Sequence, residues 1–326
     1  MNLTSTVAVP ANAARGGFNA AGDVLISDQF NNRVIEVNAT TNGIVWSFGS
    51  NDPSLCNPGN GTVIGPNWAE RLSDGSTLIA GTGTPANVSP AMPNGCVDNR
   101  VMVVNSAGNI VWQYGQAGVT GNGTDELDVP VSAVQLPNGD FLITDQGNNR
   151  VIEVNQTKQI VWSYGGLNNP NSAELLGNGD ILIADQGNNR AIEVTRAGNI
   201  VWSYNAGIQT AAFASRLSNG STLIVDSGHS RILIVSPANA TEFEYYTNAT
   251  AGSNAAPLPT NAAKLKNGDV IIADQFNDRV LIVDAAGRTV WQYGKTNVPG
   301  NGPGELNAPY TAFAVGDYTG QTVPPG

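Results

Sequence analysis

Apolar residues along this chain come in short runs, each bounded by Gly, Asn, Asp or Pro, and the runs repeat. Asn138-Gly139-Asp140 leads into Phe-Leu-Ile-Thr, Asp145, Gln-Gly-Asn-Asn, Arg150 and Val-Ile-Glu-Val; Asn178-Gly179-Asp180 leads into Ile-Leu-Ile-Ala, Asp185, Gln-Gly-Asn-Asn, Arg190 and Ala-Ile-Glu-Val. Both end in Ile-Val-Trp-Ser-Tyr, at Trp162 and Tyr164 and at Trp202 and Tyr204. The same frame occurs six times, with a turn glycine at Gly22, Gly75, Gly139, Gly179, Gly220 and Gly268. Six residues later stands Asp28, Gly81, Asp145, Asp185, Asp226 or Asp274, and five further on comes Arg33, Arg150, Arg190, Arg231 or Arg279. The second copy reaches its Arg100 only after a 14-residue insertion. Each copy closes on an aromatic (Trp46, Trp112, Trp162, Trp202, Phe243, Trp291) followed two residues later by Phe48, Tyr114, Tyr164, Tyr204, Tyr245 or Tyr293.

β-branched and aromatic residues fill the runs, so each copy predicts four short strands. Asn-Gly between the first two strands predicts a two-residue hairpin turn with both residues at positive φ. A four-stranded antiparallel sheet repeated about every 40–65 residues is the pattern of a β-propeller blade. One such sheet cannot cover both of its faces, whereas six packed radially can, with the Trp and Tyr residues between neighbours. The expected fold is all-β: a six-bladed propeller in a single domain over 1–326, with blades near 11–49, 66–115, 130–165, 170–204, 211–247 and 259–294 and a terminal segment at 295–326.

At the Gly-x-Leu-Ile-x-Asp strand, the Asn-x-Arg-Val turn and the closing Ile-Val-Trp-x-Tyr-Gly strand, the chain resembles the NHL-repeat family of six-bladed propellers, over about residues 10–294. That resemblance implies the fold closely and the function loosely, because such propellers serve as binding modules, lyases, lactonases and scaffolds.

Composition narrows the choice. A net charge of -11 disfavours nucleic acid and acidic lipid as partners. No apolar run approaches the ~18 residues of a membrane span. Asn-x-Ser/Thr sequons at Asn2, Asn38, Asn60, Asn87, Asn122, Asn155, Asn219, Asn239 and Asn248 modestly exceed what composition alone provides. No secretory leader pattern is visible in the first residues. With two Cys and few basic residues, the sequons predict an extracellular or cell-surface protein, with further copies of itself as the main partner and glycans as a second.

Candidate chemistry is sparse. The Asp–Arg pairs (Asp28 with Arg33, Asp145 with Arg150, Asp185 with Arg190, Asp226 with Arg231, Asp274 with Arg279) recur too often for a single ligand site. They predict turn clamps, with Asp accepting backbone N–H groups. His229 is the sole histidine, so neither a multi-ligand transition-metal site nor a His-based triad can be assembled. No Asp-x-Asp-x-Asp calcium loop occurs, and no cofactor is expected. Inner-strand positions Glu70, Arg71, Gln135, Glu174, Arg216 and Lys264 predict a solvated central channel carrying charges of both signs. Cys56, in the long connection after the first blade, and Cys96, in the insertion, lie in loops that a propeller places on one face, which predicts a disulfide.

One strand is surplus. Gly300-Asn-Gly-Pro-Gly-Glu-Leu followed by Pro309, Tyr310, Ala312, Phe313 and Val315 matches the approach to the third blade, Gly121-Asn-Gly-Thr-Asp-Glu-Leu followed by Pro130. Seven inner-strand candidates face six slots. The tail either closes the ring in its own chain, displacing residues 1–17, or a terminus is donated to a neighbouring subunit. The functional expectation is a non-enzymatic structural or adhesive propeller that can assemble into a filament or surface layer; the alternative is an NHL-type glycan- or small-molecule-binding protein, or a lyase- or lactonase-like enzyme using the loop-rich face.

Overall fold

A computed structural model describes residues 18–317. The sequon at Asn2 and the segments 1–17 and 318–326 lie outside the described residues. Within it, six four-stranded antiparallel sheets form a six-bladed β-propeller with only short 3-10 turns besides. Blade 1 contains β1 (Val24–Asp28), β2 (Arg33–Val37) and β3 (Ile44–Gly49). Blade 2 is β4 (Pro66–Arg71), β5 (Thr77–Thr84), β6 (Cys96–Val104) and β7 (Ile110–Tyr114). Blade 3 is β8 (Pro130–Gln135), β9 (Phe141–Asp145), β10 (Arg150–Val154) and β11 (Ile160–Tyr164). Blade 4 is β12 (Pro170–Leu175), β13 (Ile181–Asp185), β14 (Arg190–Val194) and β15 (Ile200–Tyr204). Blade 5 is β16 (Ala211–Arg216), β17 (Thr222–Asp226), β18 (Arg231–Val235) and β19 (Thr241–Tyr246). Blade 6 is β20 (Asn261–Lys264), β21 (Val270–Asp274), β22 (Arg279–Val283) and β23 (Thr289–Gly294).

The surplus strand, β24 (Pro309–Ala314), takes the inner slot of blade 1 and pairs antiparallel with β1, Leu25 opposite Phe313 and Ile26 opposite Ala312. Val315 extends the ladder through its N–H to Asp23 O at 2.7 Å. The ring therefore closes within one chain, and blade 1 is built from both ends of the described sequence.

The turn between first and second strands departs from expectation. Gly139 alone has positive φ (86°), while Asn138 does not. The Gly139 N–H donates to Leu136 O and the Leu136 N–H to Asp140 O, both at 2.8 Å, so Pro137, Asn138 and Gly139 form a three-residue loop with a glycine bulge. The Asn138 side-chain oxygen accepts the Asp140 N–H at 3.0 Å. The same local contact recurs at Asp74, Asn178, Asn219 and Asn267, and it makes the wider loop the stable one.

Neighbouring blades bury each other's faces, and the outer-strand tryptophans latch onto the next blade. The Trp112 indole N–H donates to Gln156 O, Trp162 to Arg196 O, Trp202 to the Asn239 side chain, and Trp291 to Ala39 O at 3.0–3.2 Å. Trp291 thus crosses the seam from blade 6 to blade 1.

Candidate functional site

On the loop-rich face, each repeat holds the chain that feeds its inner strand. Asp145 Oδ1 accepts the Asp128 N–H, while Oδ2 takes Arg150 Nε (2.7 Å) and the Asn148 amide. Asp28, Asp185 and Asp226 do the same for Asn307, Asn168 and Gln209, paired with Arg33, Arg190 and Arg231. His229 belongs to this network, its Nδ1 lying 2.9 Å from Asp226. A second clamp acts one blade ahead. Asn32, Asn99, Asn149, Asn189 and Asp278 all sit at positive φ and accept the N–H of Gly65, Val129, Asn169, Thr210 and Ala308, the residue just before the next inner strand.

Blade 2 performs the first clamp differently. Gly81 stands where the others have Asp, and Asp98 on the facing strand supplies the carboxylate, binding the Ile64 N–H (2.7 Å) and Arg100 (2.5 Å). A side chain on Gly81 would collide with that carboxylate. Sequence spacing missed Asp98 because the insertion separates it from its copy; the signal was a Gly in the Asp slot with an Asp two residues before Arg.

The insertion prolongs the β5–β6 hairpin, pairing Thr84 with Cys96. Cys56 and Cys96 are disulfide-bonded, with Cα atoms 5.6 Å apart. Asn60, Asn87, Asn122, Asn219, Asn239 and Asn248 are exposed, whereas Asn38 and Asn155 are half-buried.

The central channel differs from the charged, solvated tube expected above. Trp68 of blade 2 meets Phe213 of the opposite blade 5 (ring centroids 6.2 Å) and Phe313 of blade 1 (5.1 Å, edge-on), and all three are buried. Arg71 and Arg216 leave the channel for the seams, where they pair with Glu36 (2.5 Å) and Glu193 (2.9 Å) of the preceding blade and stack on Trp46 and Trp202. Arg196 reproduces this clamp on Glu153 and Trp162 at the seam of blades 3 and 4. A shallow cavity of about 400 Å³ remains beside Arg216, lined by Leu176, Gly177, Asn178 and Glu193. Glu174 accepts the Arg216 N–H, while Gln135 and Lys264 are half-buried. Long charged side chains at the strand ends reach partners in the seams, so apolar rings fill the axis.

Glu70 is the exception. It is 1% exposed, and neither carboxylate oxygen has a partner in hydrogen-bonding geometry. Burial pushes its pKa up to about 8, only partly offset by the Trp68 indole, so the group is a neutral acid at pH 7.

Above the plug, the loop-rich mouth carries side-chain amides. Gln29 bridges Asn67 (2.7 Å) and Gln275 (2.8 Å), and Gln146 bridges Asn171 (3.0 Å) and Gln186 (3.4 Å). The Tyr310 hydroxyl donates to Asn171 at 2.8 Å, and burial raises its pKa to about 12. The repeated Asp-Gln dipeptide at Gln29, Gln146, Gln186 and Gln275 was the unread signal for this ring. Among the described residues, no group of three or more His, Cys, Asp or Glu converges to hold a metal ion.

A family model described as outer membrane protein assembly factor BamB matches residues 97–246. No curated protein matches the chain. Among solved structures, the chain is similar to a protein of unknown function from Bacteroides caccae (TM-score 0.62, 16% identity, covering 84% of this chain and 93% of that one). It is also similar to a streptogramin B lyase (TM-score 0.51, 15% identity, 72% and 70% covered). A catalytically inactive histidine-to-alanine variant of virginiamycin B lyase from Staphylococcus aureus, with quinupristin, matches comparably (TM-score 0.51, 16% identity, 76% and 73% covered). At these identities the likeness is one of fold.

Proposed function

We propose that this chain is a non-enzymatic structural or adhesive propeller that works outside the cytoplasm and associates with further copies of itself. The observation that carries the reading is the aromatic plug of Trp68, Phe213 and Phe313, with the repeated charges engaged in clamps rather than converging on a cleft. Useful chemistry then falls to the outer surface. The Cys56–Cys96 disulfide favours an oxidising compartment, and among the described residues no helix is long and apolar enough to cross a membrane. The match to a family described as an assembly factor also favours a scaffold. The sole histidine, His229, is bound to a turn aspartate, which weighs against chemistry of the kind whose loss accompanies a histidine replacement in the lyase variant.

A second reading draws on the amide ring. Gln29, Gln146, Gln186, Gln275 and Tyr310 offer the donors and acceptors that suit sugar hydroxyls, so the mouth is the place for an NHL-type glycan or small-molecule ligand. A glycan array combined with melting-temperature screening separates the two. The structural reading expects no saturable ligand at the mouth. A sugar that binds, and loses binding in Gln146→Ala, would replace it with the second.

A further inference from the structure

Outer strands are the free edges of all six sheets among the described residues. Natural edges are blunted by charge or proline, because an unpaired apolar strand accepts another. Blade 5 follows that rule: β19 carries Glu242 and Glu244, the latter paired with Arg231 at 2.7 Å. Blades 3 and 4 do not. Strands β11 and β15 are both Ile-Val-Trp-Ser-Tyr, without a charge or a proline, and Val161 and Val201 are 52% and 55% exposed beside exposed Ile160 and Ile200.

The chain carries a matching strand that the ring has no place for. Residues 1–14 hold no charged side chain, Leu3, Val7 and Val9 alternate with polar or small residues, and Pro10 ends the run. The inner slot of blade 1 is filled by β24. The described chain begins at Phe18, packed on Trp46 of β3 (6.2 Å), on the outer side of blade 1. Blade 4 lies across the ring from that point.

We propose that residues 2–9 of one copy add as a fifth strand to the free edge of β11 or β15 in a second copy. The proposal rests on the self-association reading above and names its contact. Eight extended residues span roughly 26 Å, enough to cover a five-residue edge of ~17 Å, with residues 10–17 as the tether. Donor and acceptor lie on different sides of the propeller, so the contact is head-to-tail and propagates in a line rather than closing as a dimer. Backbone pairing supplies the attraction, and the alternating apolar residues meet Val161 or Val201.

The test is light scattering of the full chain over a concentration series, with and without excess of a peptide of residues 1–10, beside a variant lacking residues 2–9 and the double variant Val161→Lys with Val201→Lys. The expected result is mass growth in the full chain, reversal to monomer by the peptide, and at least an about tenfold higher concentration for assembly in both variants, with unchanged circular-dichroism melts. Mass growth indifferent to peptide, deletion and edge charges would overturn the strand contact while leaving self-association standing. A full chain that stays monomeric throughout would overturn both. If the double variant fails to fold, the peptide competition, which uses the unaltered chain, decides.

Discussion

The seams between blades 3 and 4 and between blades 6 and 1 do the same mechanical work with different chemistry. At the first, the neutral Asn149 amide holds the Asn169 N–H (2.8 Å), and Asp185 holds Asn168. At the second, where a strand from the far end of the chain must be kept in place, Asp278 replaces the Asn and holds Ala308 (3.0 Å), next to β24. Blade 6 carries a further irregularity. Pro257 occupies the position whose N–H meets the clamp aspartate in the other blades, so Asp274 Oδ1 is buried without a partner in hydrogen-bonding geometry, with the Thr247 hydroxyl beside it. A repeat therefore tolerates replaced clamps where other contacts are dense: Arg279 reaches Thr247, Thr250, Ser253 and Thr296 as well as Asp274.

The largest expected effect comes from removing the strand that the unusual seam holds. Deleting residues 305–326 strips β1 of its inner partner and exposes the apolar surface opposite Phe313, Ala314 and Val315. It is expected to abolish cooperative thermal unfolding, since a single buried Phe already contributes about 3–5 kcal/mol. A truncated chain melting as the full one does would mean β24 is dispensable.

Next in size is a paired substitution. Arg279 is 3% exposed and Arg190 is 29% exposed in otherwise equivalent ion pairs. Arg279→Ala should cost about 3–5 kcal/mol by stranding a buried carboxylate. Arg190→Ala should cost about 1 kcal/mol, because solvent already screens that pair. Equal losses in urea titrations would erase the distinction between the seams.

The disulfide belongs to neither seam and serves as a control. Cys56→Ser with Cys96→Ser opens a 40-residue separation and should lower stability by about 3–4 kcal/mol. The loss should add to that of Arg279→Ala, because the two sites share no partner.

The smallest effect is proton-linked. Burial, with Asp28 and Asp274 nearby, raises the Asp278 pKa from 3.8 to about 6, while the Ala308 N–H pulls it down. A raised folded-state value means that the group's contribution is full below pH 3.8 and is lost as pH rises through about 6. Asp278→Asn keeps the acceptor and removes the charge. It should gain up to about 2 kcal/mol over the native chain at pH 7.5 and nothing at pH 3.5. A pH-independent difference would show that Asp278 is not the titrating clamp.

The repeat made the blades readable because its turn glycines, clamp aspartates and closing aromatics recur at nearly constant spacing, and the surplus strand could be counted. Whether β24 closed its own ring or another was not readable, since an inner strand makes the same ladder in either setting. Arg71 and Arg216 were misplaced in the channel for a related reason: strand alternation assigns a face but not whether a long side chain at the strand end turns to the axis or the seam. Glu36, Glu153 and Glu193 were the missing partners, present only in blades 1, 3 and 4. The amide ring escaped notice because Gln was read as turn filler beside the more conspicuous Asp and Arg.

The central claim is that the ring is sealed along its axis and acts through its outer surface on copies of itself. Negative-stain imaging of native material tests it most directly. The account predicts linear chains of ring-shaped particles that shorten on dilution. Dispersed single rings at every concentration, alongside a small molecule seated at the amide-lined mouth, would contradict it.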